Sequence, residues 1–310
     1  MNLLNIVLPV FLIIGLGYAL RRGGFLGDEM NAWLSRLVFY VTAPALLVRS
    51  MSRHSFDWGT SIQALLIIGG ITAAVSLTVY VLARGLPPAR RGVLAQACHR
   101  SNTVFIGLPI VLNAYGEGAL ASASIVIGFM VLIENFFAVL VLTLPHDQRS
   151  ARDWRLWTGT AGRIARNPLI IACVAGMLYS MSGLPLPTAL DRSLAMIGTT
   201  AAPLGLLCVG ASLEFRRLPP EAGSVAITSL VRLIIHPALI YVALGWLGLT
   251  GAALGAPVLI MACPTAVVSY IMAYEMGGDS RLAAALIIGT TAVSVVTLIG
   301  WLALLKATPI

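Results

Sequence analysis

Gln96-Ala97-Cys98-His99-Arg100-Ser101-Asn102-Thr103-Val104-Phe105-Ile106-Gly107-Leu108-Pro109 and Met261-Ala262-Cys263-Pro264-Thr265-Ala266-Val267-Val268-Ser269 are the two stretches that decide the fold. Each lies inside an apolar run long enough to cross a membrane. Each is interrupted near mid-run by residues that a continuous helix avoids: a polar, charged cluster in the first, and in the second a proline that removes a donor and clashes with the preceding turn. Lipid cannot satisfy the backbone groups freed by such a break, so the break must face protein, water or ligand. The helix starting after it presents N–H groups and a positive dipole end, which attract anions. Asn102 and Thr265 are expected at or near those N-termini as caps. Ser101, Asn102, Thr103, Pro264 and Thr265 are therefore the candidate crossover. Pro44, Pro203 and Pro237, taken singly, read as tolerated kinks.

Outward from these stretches the chain is 58% hydrophobic and 10% charged over 310 residues, which excludes an ordinary water-soluble domain. Runs near the 20 or so residues needed for a span lie at about 3–20, 33–51, 60–83, 92–114, 119–144, 168–183, 191–213, 223–246, 252–275 and 281–305. The predicted fold is an all-α membrane protein of ten transmembrane helices. No basic residue precedes the first run and Arg21 and Arg22 follow it, so it is expected to be a span and not a cleaved signal peptide. Cys98, Cys173, Cys208 and Cys263 lie in apolar runs and offer neither disulfide framework nor metal spacing. The net charge of +8 is scattered between runs, which argues against nucleic acid as a partner. Trp33, Trp58, Trp246 and Trp301 lie near span ends and read as interfacial anchors.

Basic residues set the orientation. With both termini outside, Arg21, Arg22, Arg36, Arg84, Arg90, Arg91, Arg149, Arg152, Arg155, Arg163, Arg166, Arg216, Arg217 and Arg281 fall on the cytoplasmic side, and only Arg49, Arg53, Arg192 and Lys306 fall outside. The loop at 145–167 is then cytoplasmic and separates residues 1–144 from 168–310, five spans each. An odd number of spans makes any similarity between the halves an inverted repeat. Gly15 and Tyr18 match Gly176 and Tyr179, Thr42-Ala43-Pro44 matches Ala201-Ala202-Pro203, and Tyr115-Gly116-Glu117-Gly118 matches Met276-Gly277-Gly278-Asp279.

Arg100, Glu134, Arg232 and His236 are ionisable and fall near mid-depth, where a charge is costly unless paired or hydrated. If Glu134 pairs with one arginine, the other is a carboxylate partner of the planar, bidentate kind; alternatively the four form an internal network. Glu134 is either a proton carrier or a counter-ion, and His236, beside Pro237, either a proton shuttle or a structural residue. His99 carries the same pair of readings. Glu275 and Asp279 with Arg281 read as a cytoplasmic gate or as a solvated helix end.

Ser101-Asn102-Thr103 through Gly107-Leu108-Pro109, Tyr115-Gly116, Ala262-Cys263-Pro264 and Ala273-Tyr274-Glu275, with Ala43-Pro44 and Ala202-Pro203, resemble a prokaryotic member of the auxin efflux carrier family over essentially the whole chain. The resemblance implies broken helices 4 and 9 that cross, a scaffold from spans 1, 2, 6 and 7, and a mobile transport domain from spans 3–5 and 8–10. It also implies a homodimer formed through the scaffold, and places Asn135 at a polar position facing the substrate. Plant members carry proline before the span-four asparagine, where this chain has Ser101. Bacterial relatives are associated with dicarboxylates such as malate and malonate.

The expected function is a secondary transporter in the cell membrane that exports a small organic anion by alternating access, without cofactor or metal. Coupling to H⁺ or Na⁺ is optional, since the membrane potential alone can drive an anion outward. An auxin-like hydrophobic carboxylate is the rival substrate. A sensor that binds without transport is a further alternative. An enzyme is disfavoured because HExxH, GxSxG and a paired acidic metal motif are missing from the sequence, and the lack of a P-loop means that ATP-driven transport would need another subunit.

Overall fold

The computed structural model describes residues 4–52, 58–144, 168–213 and 221–307, and among these no strand occurs. The loop at 145–167, Arg53, Arg216, Arg217 and the side chains of Trp58, Cys173 and Glu275 lie outside the described residues. In chain order the helices are α1 (Leu4–Arg22), α2 (Asp28–Leu37), α3 (Ala43–Ser52), α4 (Trp58–Leu82), α5 (Pro88–His99), α6 (Leu108–Tyr115) and α7 (Leu120–Thr143). They continue as α8 (Pro168–Met181), α9 (Thr188–Thr199), α10 (Ala201–Ala211), α11 (Ala222–Leu230), α12 (His236–Trp246), α13 (Gly251–Met261), α14 (Val268–Glu275) and α15 (Ser280–Ala307). Six helical stretches among the described residues are long and apolar enough to cross a membrane. The two stretches that opened the sequence reading fall short because their helices are interrupted at 100–102 and 262–267.

Three interhelical joints are π-helical turns, Val38–Thr42, Thr103–Gly107 and Val231–Ile235, and each ends two residues before a proline: Pro44, Pro109 and Pro237. A proline lacks the N–H that the carbonyl four residues back would accept and crowds that carbonyl. Widening the preceding turn lets the rod continue with a bend. The expected kinks at Pro44 and Pro237 thus have a specific geometry.

Outward faces are apolar: Leu12, Leu66, Leu178, Met196 and Val296 are exposed, as bilayer contact requires. Trp246 and Trp33 are likewise exposed, in keeping with interfacial anchoring. Trp301 is a correction: it is only 8% exposed and donates Nε1–H to Leu233 O at 2.8 Å. The carbonyl it satisfies lies in the π-turn before His236–Pro237, and a proline two residues past such a turn is what leaves carbonyls there in need of donors. Asp279 accepts from the backbone N–H of Arg281 and Leu282, so it caps α15, and of the two readings the solvated helix end holds for this residue.

Two helix pairs approach to backbone contact, α1 with α10 and α3 with α8. A Cβ at Gly17 would lie 2.3 Å from Leu207 O, one at Gly210 1.9 Å from Ile14 O, and one at Gly176 2.8 Å from Val48 O. Gly15, singled out in the sequence, has no atom within 4 Å of its would-be Cβ. Gly17 is therefore the residue that packs as Gly176 does. Gly210→Ala is expected to lower the melting temperature in detergent, at a cost of about 1–3 kcal/mol, whereas Gly15→Ala leaves it equal or higher because alanine is the better helix former. Equal melting of both variants would refute the close-packed seam.

Candidate functional site

The two interruptions meet. Ser101 and Thr265 form an isolated antiparallel bridge, with Asn102 N–H donating to Pro264 O at 2.8 Å and Ala266 N–H to Arg100 O at 3.2 Å. The bridge solves the accounting problem that the breaks create. Pro264 has no N–H for Ile260 O, and Ser101 Oγ donates to that carbonyl at 2.6 Å. Ser101 N–H is turned away from Ala97 O to Glu134 Oε1, 2.9 Å, and Thr265 Oγ1 donates to Ala97 O at 2.9 Å in its place. Each bridge hydroxyl thus completes the last turn of the other helix.

This corrects the capping expectation. Thr265 lies three residues before α14 and serves the end of α5; its own N–H goes to Thr290 Oγ1 at 3.2 Å. Asn102 precedes the π-turn but makes no side-chain cap; its backbone carbonyl accepts from Gly107 N–H at 3.0 Å. Asn102 Nδ2 is buried and has no acceptor among the described residues.

Arg100 follows α5 and lies against α7, donating from Nη2 to Asn135 Oδ1 at 2.8 Å and facing Met272 Sδ with Nη1. Asn135 Nδ2 donates to Val131 O at 2.6 Å, which fixes the amide so that its oxygen faces the guanidinium. The ion pairs among the described residues join Arg21 to Asp28, Arg49 to Asp191, and Arg90 to Glu221 and Asp279. None involves Arg100, Arg232 or Glu134, so of the alternatives offered by the sequence an ion pair between Glu134 and one arginine is not seen among the described residues.

Arg232 is fully buried on the π-turn between α11 and α12. Its Nε donates to Cys263 O at 3.1 Å and its Nη1 reaches His99 O at 3.5 Å, so one guanidinium joins the carbonyl ends of both interrupted helices, where the dipoles are negative. Nη1 also donates to His236 Nδ1. Because arginine only donates, Nδ1 accepts, and Nε2–H is left to donate to Thr72 Oγ1 at 3.0 Å. Both nitrogens of His236 are engaged, as befits its structural reading. His99 spends its Nδ1–H on Ala95 O at 2.8 Å.

A cavity of about 660 Å³ runs from the crossing to the end of the molecule marked by Asp28. Its head is Arg100, Ser101, Asn102, Thr103, Glu134 and Asn135, and the first turns after both breaks, 103–105 and 266–268, face it. Pro264, Arg232 and His236 do not line it. The opposite wall is one face of α2 and the π-turn after it, Asp28, Asn31, Ser35, Phe39 and their neighbours at helical spacing, with Ser212. The sequence reading missed this wall, although a polar residue every three or four positions in an apolar span was there to be found. The site can therefore hold a small anion between helix N-termini, an arginine and the Asn102 amide donor, in a largely apolar chamber.

Residues 3–302 match the family model described as membrane transport protein. The chain belongs to that family. It is the auxin efflux carrier family of the sequence resemblance, so the protein is a multi-pass membrane transporter, and its family is one of transporters and not of enzymes. Among its relatives, a Rhizobium meliloti protein named "Putative malonate transporter" is 27% identical over 98% of this chain and 96% of its own length. A Methanothermobacter thermautotrophicus protein named "Uncharacterized transporter" is 28% identical over 95% of this chain and 96% of its own.

Proposed function

We propose that this protein exports a small organic carboxylate, malonate-like or malate-like, by alternating access. The observation that carries the reading is the convergence on one cavity of both post-break helix starts, of Arg100 without an ion-pair partner among the described residues, and of Asn102 Nδ2 without an acceptor among them. The malonate name of one relative points the same way.

The ten-span inverted repeat is supported by exchange of partners. Gly17 seats against Leu207, and Gly176, 159 residues on, seats against Val48, 159 residues before Leu207. The two bridge hydrogen bonds exchange when residues 164 apart are paired, 102 with 266 and 100 with 264. In this arrangement α1–α3 and α8–α10 are the scaffold through which a homodimer forms, and α4–α7 with α11–α15 are the transport domain. The cavity lies between the two, as a moving substrate site requires. Arg90 joins Glu221 and Asp279, three turns that the basic-residue count puts in the cytoplasm, whereas Arg49 and Asp191 pair on the outer side. With that orientation in the cell membrane the cavity opens inward.

The aromatic and aliphatic walls, Phe39, Tyr40, Phe105 and Ile288, favour a second substrate reading, an auxin-like hydrophobic carboxylate. Currents across proteoliposomes on a solid support, with malonate, malate and indole-3-acetate added in turn, separate the two. A substrate-specific current is expected, with Asn102→Ala needing about tenfold more substrate through loss of a charge-assisted hydrogen bond. Unchanged half-saturation in Asn102→Ala would remove that residue from the site. No current and no binding for any of the three would overturn the carboxylate reading.

A further inference from the structure

Glu134 is out of place in an anion site. It lines the head of the cavity, is 3% exposed, and its Oε1 is held by Ser101 N–H at the crossing itself. Arg100 donates to Asn135 and faces Met272, and Arg232 donates to the carbonyls of Cys263 and His99 and to His236 while its Nη2 has no partner among the described residues, so Glu134 feels both cations without an ion pair to either. The other titratable groups facing it are His99, whose Nε2 lies 3.4 Å from Glu134 O, and Cys263. Beyond Arg232 is His236, and further along the cavity are Tyr270, Asp28, Arg36 and Tyr40.

Charge matching at this head distinguishes substrate classes. Arg100 in the head and Arg232 behind its wall, set against the one carboxylate of Glu134, leave a single positive charge to be met. A monocarboxylate meets it. A dicarboxylate balances both cations by itself, Arg100 by contact and Arg232 through its field across the wall, and leaves Glu134 as a surplus negative charge in a region of low dielectric, where an uncompensated charge is costly. Taking a proton from the water in the cavity removes that cost, and the neutral acid still accepts from Ser101 N–H.

We propose that a dicarboxylate binds here together with a proton on Glu134, whereas a monocarboxylate binds without one. Glu134 is then the coupling residue, and a malonate dianion crosses with one net negative charge instead of two. The proposal rests on the reading of the cavity as a carboxylate site. By linkage, dicarboxylate affinity falls as pH rises above the range where free Glu134 ionises, by about tenfold per pH unit, while monocarboxylate affinity stays flat.

The test is calorimetric binding to the full-length protein in detergent, at an alkaline pH where free Glu134 is ionised and malonate affinity falls about tenfold per pH unit, in buffers of different ionisation enthalpy. Malonate is expected to take up close to one proton, and acetate and indole-3-acetate close to none. Glu134→Gln, a neutral amide in the same shape, is expected to bind malonate more tightly at high pH and without proton uptake. Malonate binding with no proton uptake overturns the proposal and leaves the carboxylate site intact. Equal uptake for malonate and the monocarboxylates, or uptake that persists in Glu134→Gln, also overturns it. If Glu134→Gln does not fold, the comparison between substrates on the native protein still decides. No binding of any carboxylate sinks both the proposal and the site on which it rests.

Discussion

Arg100→Lys should lose carboxylate binding by about a hundredfold, roughly 3 kcal/mol, in protein that still folds. The guanidinium is held edge-on by Asn135 Oδ1 and faces a thioether with its other terminal nitrogen. A thioether is a weak acceptor, so an arriving carboxylate displaces it at little cost and gains a charge-assisted bond. Asn135 keeps the fork oriented, because its amide is pinned to Val131 O. Lysine keeps the charge but has no planar fork, and its point-like ammonium must choose between Asn135 and substrate. Equilibrium binding of malonate, measured alongside melting temperature, tests this. An affinity equal to that of the native protein would exclude Arg100 as the carboxylate partner, and a collapse of melting temperature would show that its role is structural.

The sequence made the breaks legible because proline, and a polar cluster in an apolar run, have consequences that tertiary context cannot erase: a missing N–H remains missing. That is why the interruptions at Ser101-Asn102-Thr103 and Pro264-Thr265 are legible in the sequence, and the structure joins them at the Ser101–Thr265 bridge. What each does at the meeting was not legible. The donor that serves Ile260 O or Ala97 O comes from the opposite helix, so capping rules, which look only along one chain segment, put Thr265 on the wrong helix. Trp301 misled for a related reason. Its place in the sequence fits an interfacial anchor, but the carbonyl that needs its N–H belongs to a neighbouring π-turn. The α2 wall was overlooked because its polar residues, judged one at a time, resemble an ordinary span entrance. Only the cavity shows that their helical spacing brings them onto one face opposite Asn102.

Arg232 was legible as a costly buried charge but not as what it is used for. Its expected mutational signature is the largest in the chain: Arg232→Met should destabilise the protein by roughly 3–9 kcal/mol, since three acceptors lose a donor, each at about 1–3 kcal/mol. The acceptors are Cys263 O, His99 O and His236 Nδ1, all buried where water cannot replace the guanidinium. Methionine fills most of the volume, so the loss reports polar satisfaction and not a cavity. Arg232→Lys should fall between the two, because one ammonium retains the charge at the two negative helix ends but cannot span both carbonyls and the imidazole. The ordering native, lysine, methionine in thermal melts is the critical result. If methionine melts with the native protein, the carbonyl ends of the broken helices do not depend on Arg232, and the crossing is held by the Ser101–Thr265 bridge alone. If lysine and methionine are equally damaging, the geometry of the fork matters more than its charge, and the dipole argument for this residue fails.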